Sequence, residues 1–297
     1  MKKFFYKLST IIFGLTLIIS AKVSAEGIWR LDGSAAYEMP RNFKVMEDLN
    51  ISGSGQPSLT GLAMLYNEIR RNYYFDGNIY IVDLREESHG FAIRNGWEGF
   101  PVSYYTEKNL ANFFTPKNQI ESIEIELLTD MLDKQIDFLP LGNEDKKLFK
   151  PVNVLVENVM TERQKADDVG FIYVRFPVTD MFFPEPAIVE EFMQFVLNLK
   201  ENDWVHFHCQ AGHGRTTTFM VMYEILKNPE KSLGEICARY ETNLIERKVD
   251  NGNHDYYIEA HNSRAEQLID FFFYVRDFQQ GRINTSWSEY VNQKAAQ

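Results

Sequence analysis

The chain has 297 residues, of which 44% are hydrophobic, 25% charged and 14% aromatic, and its net charge is −11. This is ample apolar sequence for one large buried core, with no repeat or low-complexity tract to suggest a solenoid or a disordered tail. So acidic a chain is not built to bind nucleic acid or an anionic membrane.

Residues 1–25 differ in kind from the rest. Lys2, Lys3 and Lys7 precede an apolar run at 11–19, and Val23, Ser24 and Ala25 supply small residues at a cleavage position, the pattern of a secretory leader. The run is short for a spanning helix. This favours a cleaved signal and an exported protein, periplasmic or secreted and without stable membrane association, over an uncleaved anchor. Cleavage would remove four lysines and no acid, taking the mature chain from −11 to −15.

The remainder, 26–297, reads as one domain. Leu59, Leu62, Leu65 and Ile69 share one face of a helix expected over 58–71, and a β-branched alternation marks a core strand at 78–84. Between 89 and 168 the pattern loosens. Strand-like runs at 99–103 and 152–156 surround a helix expected over 119–138, so a small β-rich inserted subdomain is placed around 92–168. A strand at 170–177 then delivers the loop 178–184, and Pro184 and Pro186 open a helix at 187–200. The next strand, at 203–208, runs through a glycine-bearing loop into a helix at 216–227, which Asn228 and Pro229 stop. Strands separated by helices indicate an α/β fold with a mostly parallel sheet flanked by helices, and loops gather at the strand C-termini in such folds. Asp83, Asp180 and Cys209 would meet at that edge.

The most informative stretch is His208-Cys209-Gln210-Ala211-Gly212-His213-Gly214-Arg215-Thr216. A strand turning through such a loop into a helix aims consecutive N–H groups and the positive helix end at one spot, where a phosphate-sized anion fits. Gln210, Ala211, Gly212, His213 and Gly214 would surround it, the two glycines supplying unusual dihedrals. Cys209 would be held as a nucleophilic thiolate, and Arg215 would grip two phosphoryl oxygens with its planar fork. Thr216 would donate a hydrogen bond to the sulfur or help it leave. His208 either orients the loop and tunes the thiol or merely fills a strand end. Cys237, the other cysteine, reads as a small apolar helix residue, with a regulatory disulfide as the alternative.

This loop resembles the signature of the cysteine-dependent phosphatases. Asn50 to Gln56, Ile79 to Gly90, Pro177 to Asp180 and the helix after Arg215 extend the resemblance to the bacterial protein-tyrosine-phosphatase-like phytases, in the family's order. The resemblance implies the protein-tyrosine-phosphatase-like fold with its inserted subdomain, and it places the family's general acid at Asp180. That residue also has a bottom-up case: Met181, Phe182, Phe183 and Pro184 could desolvate it and raise its pKa. Its plainer role is a turn residue before prolines. Asp83 would contact substrate hydroxyls or arrange the loop, or else cap a strand end, while Arg85 reads as a salt-bridged structural residue. Two departures stand out. Lys44 occupies a position where the family usually has arginine, which keeps the charge but loses the fork. The stretch 253–264 has gained acids and lost the family's lysines, leaving Arg264 among the candidate substrate contacts.

The reading is a cysteine phosphatase that releases phosphate from myo-inositol polyphosphates through a phosphocysteine, with less phosphorylated rings favoured over the hexakisphosphate. The phosphorylated small molecule is its expected partner. No metal or other cofactor is called for, since the few histidines do not fall at ligand spacing. The alternatives are a protein-tyrosine phosphatase or secreted effector acting on phosphoproteins and, from another class, a non-catalytic inositol-phosphate-binding module. Nothing in the pattern fixes the oligomeric state.

Overall fold

A computed structural model describes residues 27–296 of the chain, save 74, 251, 253 and 254. The leader expected at 1–25, with Asn253 and His254, lies outside them. The strands are Ile28–Leu31 (β1), Lys44–Met46 (β2), Ile51–Ser54 (β3), Ile79–Arg85 (β4), His89–Arg94 (β5), Glu98–Tyr105 (β6), Gln135–Phe138 (β7), Val152–Leu155 (β8), Asn158–Met160 (β9), Ile172–Val178 (β10) and Trp204–His208 (β11). The helices are Gly61–Asn72 (α1), Lys117–Thr129 (α2), Asp145–Leu148 (α3), Glu162–Val169 (α4), Pro186–Asn198 (α5), Gly214–Lys227 (α6), Leu233–Arg239 (α7), Tyr256–Gln279 (α8) and Trp287–Ala295 (α9).

The central sheet has the order β10-β4-β11-β3-β2 and is parallel except for the edge strand β2. The expected mostly parallel α/β sheet is therefore present. A second, antiparallel sheet has the order β1-β6-β5-β9, and β7 pairs with β8 alone. Most of this β-rich part comes from residues 89–160, but β1 joins it from near the start of the described chain, lying beside β6. The helix expected over 119–138 is shorter. It ends at Thr129, Asp133 takes a left-handed conformation at φ 60°, and Gln135–Phe138 leaves as a strand beside β8. Met131 and Phe138 satisfy a helical spacing only because both turn into the same subdomain core.

Side-chain alternation gives the central sheet two unlike faces. Val82 and Leu84 of β4, Phe176 and Val178 of β10, and Val205 and Phe207 of β11 point into the larger core, under α5, α6, α8 and α9. Phe219 of α6 packs edge-on to Phe192 with centroids 4.8 Å apart, and burying such a ring stabilises the fold by about 1.5–3 kcal/mol. On the opposite face the strands are apolar at their first residues, Ile79, Ile81 and Trp204, against Leu62, Leu65 and Ile69 of α1. Towards their C-termini that face becomes ionic, with Asp83, Arg85, Arg175 and His208 all buried.

Those charges are answered by the antiparallel part. Arg85 pairs with Asp32 and Glu87, Arg175 with Asp83 and Glu124, and Arg30 with Asp32. Glu162, at the start of α4, lies 2.9 Å from His208 and accepts a hydrogen bond from Gln56 at 2.8 Å. Counting Arg215, the connected buried set holds five carboxylates (Asp32, Asp83, Glu87, Glu124, Glu162) and four guanidiniums. The Nδ1 of His89 lies 2.8 Å from the carbonyl of Glu87 and 3.5 Å from Arg175 Nη2, and its Nε2 lies 3.1 Å from Glu162 and 3.4 Å from Asp83. Burial acts to lower the pKa of His89, but the surrounding carboxylates outweigh it and raise the value.

Candidate active site

Four strand ends converge on one place: β3 leads to Gly55 and Gln56, β4 to Glu86 and Glu87, β10 to Thr179 and Asp180, and β11 to Cys209. The loop from Cys209 to Gly214 is held from outside. The carbonyl of Gln210 accepts from the backbone N–H of Gln56 at 3.1 Å and from Arg41 at 3.3 Å. The carbonyl of Ala211 accepts from Asn42 at 2.7 Å, and that of Gly212 from Lys44 at 3.0 Å. In a trans peptide the N–H points opposite to the carbonyl, so pinning these carbonyls outward turns the next N–H groups inward. Gly212 has φ 80°, and a Cβ there would meet the backbone of Ser54 and Gly55 at 2.5 and 2.4 Å. A side chain at Gly214 would meet Arg264 Nη1 at 2.9 Å, so this glycine lets a second guanidinium reach the loop.

Cys209 is 3% exposed, and its Sγ accepts from the Gly212 N–H at 3.3 Å and from the Thr216 hydroxyl at 3.1 Å. Burial works against the thiolate, but the charge of Arg215, the Thr216 hydroxyl and the amides of Thr216 and Gly212 outweigh it, leaving the thiol below its ordinary pKa. Cys237 shows the contrast: with burial alone acting, it is pushed up to about 11. Both cysteines are free.

Arg215 is fixed by a residue the sequence reading did not single out. Its Nη1 and Nη2 donate to the two oxygens of Glu87 at 2.7 and 2.9 Å, and Nη1 also donates to the carbonyl of Val178 at 3.0 Å. Nη2 lies 3.3 Å from Asp180 Oδ1, and Nε is a buried donor without a partner. Nε is therefore the donor of the fork left for an anion, and Nη2 can join it only when Asp180 moves off. Glu87 appears in the sequence only as one acid of a pair after a strand; its partner is 128 positions away.

Other expected residues land differently. Asp83 is fully buried, bonded to Tyr173 at 2.7 Å and Arg175 at 3.0 Å, so it orders the strand ends and does not reach a substrate. Gln210 turns its side chain away, donating to Asp145 at 3.1 Å. His208 is fully buried and lies beside Glu162. Asp180 is not walled off as expected: Phe183 packs into the core near Phe271 and Trp287, and the aspartate side chain keeps 34% of its surface exposed. Lys44, His213, Lys248, His261 and Arg264 line a polar cleft of about 270 Å³ beside the loop. Within it Lys44 is committed to Gly212 and to the Thr217 hydroxyl at 2.6 Å, and Arg264 donates to the carbonyl of Met181 at 3.2 Å. One of the acids gained near the C-terminus, Asp255, caps α8 by accepting from Tyr257 and Ile258.

Residues 82–227 match the model of the protein-tyrosine-phosphatase-like phytase family, described as "Inositol hexakisphosphate". The chain is also similar to a PTP-like phytase from Bdellovibrio bacteriovorus, at 30% identity and a TM-score of 0.71, over 89% of this chain and 94% of that one. The chain belongs to the protein-tyrosine-phosphatase-like phytase family. Another member, the PTP-like myo-inositol phosphatase of Mitsuokella multacida in complex with myo-inositol-(1,3,4,5)-tetrakisphosphate, is similar at 30% identity and a TM-score of 0.79, over 89% of this chain and 49% of that one. Effector protein hopD2 of Pseudomonas syringae pv. tomato is 29% identical over 163 residues, 54% of this chain and 34% of that protein. The chain thus spans about a third of that effector's length and half of the Mitsuokella protein's.

Two outcomes are expected from this family member's geometry. Iodoacetamide should label Cys209 with a midpoint below the ordinary thiol value of about 8.5, and Thr216→Val should move that midpoint up by about 1 unit, the worth of one hydrogen bond to a charged group. Cys237 serves as the unreactive internal control, and an unchanged midpoint in the variant contradicts the assignment. The second concerns Glu86, whose carboxyl is pushed up to about 7, chiefly by burial. Its native pKa exceeds the unfolded one, so its ionisation costs stability as pH rises from about 4 and the cost is complete above about 7. Glu86→Gln should therefore stabilise the fold by about 1–3 kcal/mol at pH 8 and by little at pH 4, read by urea unfolding at both.

Proposed function

We propose that this chain is a phosphomonoester hydrolase of inositol polyphosphates, working through a phosphocysteine. The observation that carries the reading is the buried, unpartnered Nε of Arg215, set beside a sulfur that already holds two hydrogen-bond donors. Cys209 attacks phosphorus in line, and the P–O bond to the leaving alkoxide breaks as the P–S bond forms. Arg215 and the inward N–H groups take the charge of the equatorial oxygens. Asp180, partly exposed and so free to turn from Arg215, protonates the leaving oxygen and then takes a proton from the water that cleaves the P–S bond. Positive charge comes from the guanidinium and the amides, so EDTA should leave turnover unchanged.

The ring is best matched by an inositol carrying fewer than six phosphates. Lys44 spends its donors on Gly212 and Thr217, and the cleft beside the loop offers few free cations to outer phosphates. The Mitsuokella relative is in complex with a tetrakisphosphate. A second reading, hydrolysis of phosphotyrosine in proteins, draws on the effector relative and on aromatic rings near Asp180, where Phe182 meets Tyr256 at 5.9 Å. Phosphate release from inositol hexakisphosphate, an inositol tetrakisphosphate and a phosphotyrosyl peptide separates them. The expected order is tetrakisphosphate, hexakisphosphate, peptide, with Cys209→Ser inactive on all three. Faster release from the peptide would favour the second reading, and activity surviving in Cys209→Ser would refute the mechanism.

A further inference from the structure

We infer that Asn109, contributed by the antiparallel subdomain, is a positioning residue for the Asp180 carboxyl; the inference rests on reading Asp180 as the proton donor. Asn109 is 4% exposed, and its Nδ2 donates to Asp180 Oδ2 at 3.3 Å. The other oxygen, Oδ1, faces Arg215 Nη2 at 3.3 Å and accepts from the Met181 N–H at 3.0 Å. Two donors on Oδ1 leave Oδ2 as the oxygen that carries the proton. An amide N–H suits that neighbour, because it fixes Oδ2 through a lone pair and cannot accept the hydrogen destined for the leaving group.

The backbone around Asn109 is held at some cost. Lys108 and Asn109 are consecutive non-glycine residues in the left-handed region, at φ 56° and 60°, a conformation β-carbons disfavour. Asn109 Oδ1 is in addition a buried acceptor without a partner. Three unfavourable features thus meet in two residues next to Asp180, and strain concentrated in this way marks a position that its surroundings over-determine. The turn is anchored on both sides. Asn109 N–H donates to the carbonyl of Thr106 at 2.9 Å, and the Lys108 ammonium lies over the Tyr256 ring at 4.8 Å, tying the turn to the first residue of α8.

The role predicts an effect confined to esters that need a proton. An alkyl phosphate requires protonation of its leaving oxygen, whereas p-nitrophenol departs as the anion. Asn109→Gly keeps the left-handed backbone and removes the amide, and Asn109→Ala removes it with the strain retained. On glycerol phosphate both should lose about tenfold in kcat, a fraction of the 10²–10⁴ that general acid catalysis supplies, and on p-nitrophenyl phosphate they should stay within about twofold. The ratio of the two rates is taken on one preparation, so a lowered folded fraction does not alter it. Asp180→Asn is the reference and should discriminate in the same sense, more strongly. Equal losses on both esters, or none, while Asp180→Asn still discriminates, would overturn the role of Asn109 alone. Failure of Asp180→Asn to discriminate would overturn the proton-donor reading and this inference with it.

Discussion

The bidentate pair between Glu87 and Arg215 is the constraint on which the rest of the site depends. It fixes the guanidinium plane and leaves Nε, the unpartnered donor of the fork, available to an anion. As a stabilising interaction such a buried pair is worth little, because desolvating two charges costs about as much as their attraction returns. Its value lies in orientation. A donor set already in place needs no reorganisation as charge develops in a transition state.

That pair belongs to a larger buried lattice, which explains why the antiparallel subdomain is more than decoration on the central sheet. Glu87, Glu124 and Glu162 lie outside the central sheet, yet they answer Arg175, Arg215 and the strand-end charges of its ionic face. The same subdomain reaches the far side of the cleft through the turn at Lys108 and Asn109. The region flanking the loop is therefore built from both sheets, while the loop's own carbonyls are pinned by the segment Arg41 to Lys44.

Much of this was legible in the sequence, for reasons that can be named. The strand, loop and helix around Cys209 are local, so glycines, a strand alternation and a helix stop sufficed to place them. The partners were not legible. Glu87 and Arg215 are 128 residues apart, Gln56 and Glu162 are 106 apart, and nothing in either neighbourhood points to the other. A substrate contact was open to Asp83 because its type is usually exposed; Tyr173 and Arg175 from the adjacent strand take it instead. The expected cover over Asp180 failed because Phe183 faces the larger core, where Phe271 and Trp287 receive it. The stretch 119–138 misled because Met131 and Phe138 share one core from a turn and a strand, a coincidence that spacing alone cannot resolve.

The most direct test of the central claim is a crystal structure of the protein with orthovanadate bound. Vanadium is expected within bonding distance of the Cys209 sulfur, with two equatorial oxygens on Nε and Nη2 of Arg215, Asp180 moved off Nη2, and Glu87 still paired to Nη1 and Nη2. An anion bound away from the sulfur, or an Arg215 that has released Glu87 to reach it, would contradict the claim.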